Sequence, residues 1–234
     1  MSDALTEYIN EKPRGGSSGR GTLVIPKGHM YIPKSFAEAD ISILYQFIQE
    51  HSFATLVTQH KGQLTATHIP FLIDTEQGVL KAHLARANEQ WRGFDGSQAL
   101  VIFQGPHAYI SPTWYATHPS VPTWNYTAVH VYGTPRVVDD TAAIRRLLRE
   151  LVDKHERGRQ PEWQMNLPED YLEKMIQAIV AFELPIERIE GKYKLSQNRS
   201  EADQDSVMGY LSGSPDRLDG ETAQLMASRR PRTR

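Results

Sequence analysis

The run from His83 to Trp91, HLARANEQW, and the run from Ala99 to Ser111, ALVIFQGPHAYIS, decide how the rest of the chain is read. Leading into the first, Leu80, Ala82 and Leu84 alternate with Lys81, His83 and Ala85. That period of two belongs to a strand with one buried face. Arg86, Asn88 and Gln90 then place polar groups at a strand-to-helix turn. Free backbone N–H groups at a helix start, with a guanidinium beside them, make a receptor for a phosphate. The same residues equally describe an arginine that caps a neighbouring carbonyl beside an asparagine N-cap. The second run opens on a strongly apolar strand, Ala99 to Gln104.

Outward from there the chain reads as mixed α and β. Ser35 with Glu38 matches a capping box and predicts a helix to about Glu50, with Ile41, Leu44, Tyr45 and Ile48 on one face. Phe53 to Gln59 and Gln63 to Ile73 are strand-like runs around the hairpin signal His60-Lys61-Gly62. Val79 to Ala85 is a third strand, Asn88 to Phe94 a short helix, and Ala108 to Ser111 and Thr127 to Val138 extend the sheet. Asp140 to Glu156 and the segment opened by Pro168 are amphipathic helices. Phe182 to Tyr193 returns to a strand pattern broken at Pro185, and Asp203 to Leu211 predicts a last short helix. Consecutive, hairpin-linked strands favour an α+β fold with an antiparallel sheet or barrel over a doubly wound parallel one.

Composition sets outer bounds. The chain has 234 residues, 39% hydrophobic and 23% charged, which is enough to bury a core. A net charge of -2 gives no global positive field for nucleic acid. Cysteine is absent, which excludes disulfides and thiolate chemistry and fits a reducing cytoplasm. No apolar run approaches the ~20 residues that span a bilayer. Residues 1–29, with RGGSSGRG at 14–21 and Gly28-His29-Met30, read as a leader left by a cloning junction or as a natural disordered extension. Residues 30–212 read as one domain, and 213–234 as a C-terminal tail ending in a short basic stretch.

Familiar site signatures are missing: no GxGxxG after a strand, no Walker loop, no HExxH and no GxSxG. The nine histidines are scattered without helical metal-site spacing, so no metal site is expected. His68, in TATHIPF, is either an outward polar residue of a strand or a hydrogen-bond partner for a ligand lying along it. Pro106 to Tyr126, PHAYISPTWYATHPSVPTWNY, is rich in aromatics and stiffened by four prolines. Such a segment suits a planar ligand, a subunit interface, or a loop folded over its own core.

Together HLARANEQW, ALVIFQGPHAYISPTWY, VPTWNYTAVHVYG and KLSQNR resemble the PaiB family, the FMN-binding negative transcriptional regulators. The resemblance covers about Met30 to Met208. It implies a split β-barrel of the pyridoxamine-phosphate-oxidase type with flanking helices, a homodimer, and FMN at the subunit interface. By that resemblance Ala85, Arg86 and Asn88, after His83, fall where the FMN phosphate is held. Thr67, His68, Ile69 and Pro70 fall on the strand that flanks the flavin ring. Gln104, Thr123, Trp124, Asn125 and Tyr126 would close the site, with Lys194 and Gln197 as further candidates. Glu89 stands where the family pattern implies proline. Two functions follow: a regulator or sensor that touches DNA by family likeness alone, or an FMN-dependent oxidoreductase acting on a small substrate or a nicotinamide cofactor. An orphaned scaffold without cofactor is a third, which retention of Arg86 and the aromatic loop speaks against.

Overall fold

The hairpin at 53–70 shows why antiparallel pairing prevails. Lys61 and Gly62 take positive φ, 49° and 80°, the two left-handed conformations a two-residue hairpin turn needs. Thr55 is thereby set opposite His68, and Leu56 opposite Thr67. In this computed structural model, which describes residues 30–94 and 96–230, the strands are β1 (Ala37–Glu38), β2 (Phe53–His60), β3 (Gln63–Pro70), β4 (Leu72–Asp74), β5 (Val79–Ala85), β6 (Ala99–Ile110), β7 (Thr123–Gly133), β8 (Arg136–Val138), β9 (Ile179–Pro185) and β10 (Arg188–Lys194). The α-helices are α1 (Ile41–Glu50), α2 (Thr141–Glu156), α3 (Glu169–Gln177), α4 (Glu201–Ser212) and α5 (Arg217–Ser228).

Two antiparallel sheets form, one of six strands in the order β1-β10-β7-β6-β2-β3 and one of four in the order β4-β5-β9-β8. Phe103 of β6 and Phe182 of β9 both pack edge-on against Phe71, at 5.8 and 6.1 Å between ring centroids. Aromatic pairs of this kind add about 0.5–1.5 kcal/mol beyond their buried area. One core therefore joins the two sheets, as an α+β split barrel requires. Helix α1 covers the core side of the larger sheet. A Cβ on Gly191 would lie 2.3 Å from Leu44, and one on Gly105 would lie 2.7 Å from Phe47 and 2.5 Å from the Thr127 hydroxyl. On the far side of the smaller sheet, Ile144, Leu147 and Leu151 of α2 and Ile176 of α3 bury Ala181.

The chain divides into two compact units: Phe36–Pro106 with Tyr126–Lys194, and the described parts of the remainder, which include His107–Asn125 and 195–230. The first holds both sheet cores. In the second, Asp203 at 2% exposure accepts the N–H groups of Ala116 and Thr117 at 2.8 and 3.0 Å. Burial alone pushes the Asp203 carboxyl up, but these two donors, with the hydroxyls of Ser200 and Thr117, prevail and hold it low.

Several expectations change. The helix predicted from Ser35 begins at Ile41, because Asp40 is the N-cap, accepting from the Ser42 N–H at 2.9 Å. Glu38 instead accepts the N–H of Asp40 at 2.8 Å. The segment expected as a tail contains α5, capped by Asp216. The aromatic segment 106–126 is strand at both ends, since β6 runs on to Ile110 and β7 begins at Thr123, with a 3-10 turn at Pro112–Trp114 between them. The expectation for residues 1–29 lies outside the described residues.

Candidate functional site

Among the described residues strand β3 is an edge strand, paired only with β2. Residues 63–66 and His68 are exposed, so both faces of this strand meet solvent. Beside it lies the turn that follows β5. Asn88 caps the 3-10 turn Glu89–Gly93 by accepting the Gln90 N–H at 3.0 Å. Its amide then donates to the Thr67 hydroxyl at 3.0 Å. Two blocks of sequence about twenty residues apart thus meet at one contact. Ala85, Arg86 and Ala87 are exposed there. The Trp91 indole N–H donates to the Arg86 carbonyl at 3.1 Å and closes the turn. Glu89 pairs with Arg92 at 3.1 Å, so its charge is offset within its own turn.

Arg86 itself is spoken for in part. Its Nε donates to the carbonyl of Gln177 and its Nη2 to that of Ile179, each at 2.7 Å. These are the carbonyls at the C-terminal end of α3 and the start of β9, where a cation is favoured. The carbonyl-capping reading of Arg86 is thus realised. Nη1 has no partner among the described residues.

A second group lies on the outer face of the six-stranded sheet. Paired residues share a face, so His68 lies with Thr55, and Thr55 with Ile102. Gly105 and Thr127 face α1, which puts Gln104 and Tyr126 on the opposite, outer face. Lys194 is paired with Tyr126. Pro70, two residues from His68, belongs to the same face. His68 Nδ1 meets the Thr55 hydroxyl at 2.9 Å and its ring stacks on Phe53 at 6.5 Å. Lys192, at 8% exposure, lies with its ammonium 5.3 Å from the centre of the Tyr126 ring.

Next along β7 and β10 is a charged cluster that the sequence did not mark. Arg188 lies 3.7 Å over the Tyr132 ring and donates to Glu190 at 2.6 Å, while Tyr132 donates to the same carboxylate at 3.2 Å. His130 faces Glu190 across the strands. Burial pushes its imidazole below the usual range, Glu190 opposing and Lys192 assisting. Period-two alternation in VHVYG and RIEGKYK is the signal that would have grouped these side chains.

Other predicted residues go elsewhere. His83 is paired with Ala181 and so faces α2 and α3, on the helix-covered side of the smaller sheet. Burial lowers its pKa, and it does not join the residues around Thr67. Asn125 is fully buried. It donates to Ser196 at 3.0 Å and to the Met226 sulfur at 3.5 Å, so in this structure its amide is engaged within the protein. Ile69 turns its side chain to the core. Thr123 is half-buried, and Trp124 is exposed against the rings of Tyr109 and His107, in the unit that contains 107–125. Gln197 accepts the N–H of Leu195 at 2.7 Å. Among the described residues no cluster of His, Cys, Asp or Glu has metal-binding geometry, and no helix is long and apolar enough to cross a membrane.

The residues present fit FMN. Its ring requires a flat, largely apolar surface with hydrogen-bonding groups, and its phosphate requires donors and positive charge. Phe53, Ile102, His68 and Tyr126 on the outer face would supply the first kind of surface, and Arg86 with the 85–88 turn the second. Residues 30–188 match the family model described as "Putative FMN-binding domain". The chain is 40% identical over 202 residues to the protease synthase and sporulation protein PAI 2 of Bacillus subtilis, covering 84% of this chain and 96% of that protein. Its fold is similar to that of the FAD and heme binding protein of Mycobacterium smegmatis (TM-score 0.56, 18% identity, 73% of this chain and 78% of that one). The flavocytochrome Anf3 of Azotobacter vinelandii is comparably similar (TM-score 0.55, 16% identity, 73% and 75%). By sequence, the chain belongs to the FMN-binding PaiB family.

Proposed function

We propose that this PaiB-type flavoprotein is a negative transcriptional regulator or sensor, working as a cytoplasmic homodimer. Its FMN phosphate is held at the Ala85–Asn88 turn, and its ring lies along β3 and the outer face of the larger sheet. The observation that carries this placement is the 3.0 Å hydrogen bond from Asn88 to Thr67. It brings a cationic turn against an edge strand that is exposed on both faces. In this reading Arg86 donates through Nη1 to the phosphate while its other nitrogens anchor it to Gln177 and Ile179. Lys194 adds positive charge beside Tyr126. When bound, FMN supplies one- or two-electron redox chemistry that no side chain here provides.

The homodimer is supported by the apolar character of the outer face. Phe53 and Leu64 are 68% and 74% exposed, and Val57, Leu100 and Ile102 are half-exposed beside them. Contiguous apolar surface of this kind favours burial against a second copy. The regulatory role rests on the likeness to a relative named for protease synthesis and sporulation.

An FMN-dependent oxidoreductase is the second reading. It is favoured by His68, whose ring is held by Thr55 on an exposed face with Nε2 directed away from that bond. Mass spectrometry of the flavin released by heat tests the shared part, and a flavin other than FMN overturns it. Salt-sensitive, sequence-selective retention of a promoter fragment supports the regulator. Rapid bleaching by a reduced nicotinamide cofactor, without DNA retention, supports the oxidoreductase and overturns the regulator.

A further inference from the structure

We infer that Gln90 is a positioning residue for the FMN phosphate, acting through the Ala85–Asn88 turn; the inference rests on the phosphate placement proposed above. Gln90 is 6% exposed. Its side-chain amide nitrogen is within hydrogen-bond distance of three acceptors: the Leu56 carbonyl at 3.1 Å, the Thr58 hydroxyl at 3.1 Å and the Thr65 carbonyl at 3.2 Å. Those acceptors belong to both strands of the β2–β3 hairpin. The backbone N–H of the same residue donates to Asn88 at 3.0 Å, and Asn88 donates to Thr67 at 3.0 Å. One residue therefore ties the turn to the inside of the hairpin, while its neighbour ties it to the hairpin's edge. This pair of anchors sets the turn against β3, while Arg86 itself is held to the start of β9 through its backbone N–H and the carbonyl of Ala178 at 2.8 Å and through its side chain.

The polarity of the side chain is what separates positioning from packing. Gln90 Oε1 is buried with no partner among the described residues. An apolar side chain of the same length would fill the space without that cost. Three acceptors converging on one amide nitrogen give the turn a defined register that dispersion contacts do not. A ligand group held to within about half an ångström needs such support beneath it.

The test compares FMN with riboflavin, which lacks the phosphate, on the full-length protein after its flavin is removed. Wild-type protein binds FMN more tightly than riboflavin. In Gln90→Met, which keeps length and volume, FMN affinity falls about tenfold (about 1.4 kcal/mol) and riboflavin affinity stays within about twofold. An equal loss for both flavins, or no loss, overturns the inference and leaves the phosphate placement standing. Wild-type protein that binds the two flavins alike overturns the placement and the inference with it. Should Gln90→Met fail to fold, Thr58→Val removes one acceptor and keeps the shape. An FMN-to-riboflavin affinity ratio unchanged in Thr58→Val overturns the inference as well.

Discussion

Replacing Arg86 by alanine separates the carbonyl cap that the structure shows from the phosphate contact proposed above. Nε and Nη2 bind the carbonyls of Gln177 and Ile179 at 2.7 Å each. A hydrogen bond from a charged donor contributes about 1.5–3 kcal/mol where water is excluded, but Arg86 is exposed, so roughly 1–2 kcal/mol for the two together is expected. For a chain of this size each kcal/mol moves the melting temperature by roughly 2–4 °C, so the fall is roughly 2–8 °C. The phosphate contact through Nη1 is a separate quantity. Losing it weakens FMN binding by about 1.5–3 kcal/mol, or about tenfold to a hundredfold. Thermal melts of the flavin-free protein read the first effect, and titration of flavin fluorescence reads the second. Arg86→Lys sharpens the comparison, because an ammonium keeps the charge but cannot fork to two carbonyls. It is expected to lose stability like alanine and to lose less FMN affinity. A variant that melts earlier yet binds FMN within about twofold of wild type would refute the phosphate role and leave Arg86 as a carbonyl cap alone.

Other outcomes follow from the packing. His83 and His130 are both held below the usual imidazole value of 6.5 by burial. The unfolded chain therefore binds protons first, stability is full above about pH 6.5 and falls as the pH drops below it. Urea midpoints at pH 8 and pH 5.5 check this, and His83→Gln should flatten the difference. Gly133→Ala places a methyl 2.1 Å from the Pro185 carbonyl and 2.5 Å from Leu184. It should destabilise by about 1–3 kcal/mol or more, read as a lower urea midpoint with unchanged slope. Asn125→Ala leaves Ser196 without its partner and should cost about 1–3 kcal/mol in a denaturant titration. Riboflavin affinity is expected to be unchanged in that variant, and a large loss would return Asn125 to the ligand.

How far the sequence discloses this fold depends on the range of the interaction that decides each element. Period-two alternation marks β5, and the strand-like runs around His60-Lys61-Gly62 mark the β2–β3 hairpin, because each signal and its cause lie within a few residues. The 3-10 turn after Asn88 was visible for the same reason. The capping box at Ser35 and Glu38 was equally local and still misled. Asp40 caps the helix one residue before exposed Ile41, and the face that the helix buries is Leu44, Phe47 and Ile48, which lies too far along for the Ser35–Glu38 pair to open it. Helix α5 escaped notice because its buried residues, Thr222, Ala223 and Met226, are only moderately apolar, and Gly220 weakens the pattern. The cap at Asp216 was the available signal.

The candidate site marks a different boundary. Blocks such as VPTWNY and KLSQNR carry the family resemblance without saying what each residue in them does. Asn125 and Ser196 stand 71 positions apart and bind each other, at 0% and 3% exposure. Ser196 does so from a left-handed backbone at φ 63°, which a non-glycine residue keeps only when its surroundings over-determine it. Both blocks read as ligand-binding sequence, yet these two members are explained by one buried hydrogen-bonded pair. Thr67 and Asn88 are joined over a shorter span, but at a half-buried edge beside exposed Arg86 and His68. What distinguishes the proposed site from the buried pair is the exposure of the neighbours, and exposure is set by strand order: β3 is the edge of its sheet, whereas Asn125 bonds the Met226 sulfur of α5. Strand order is fixed by contacts many residues apart, which is why the contributing blocks were legible in the sequence and their separate purposes were not.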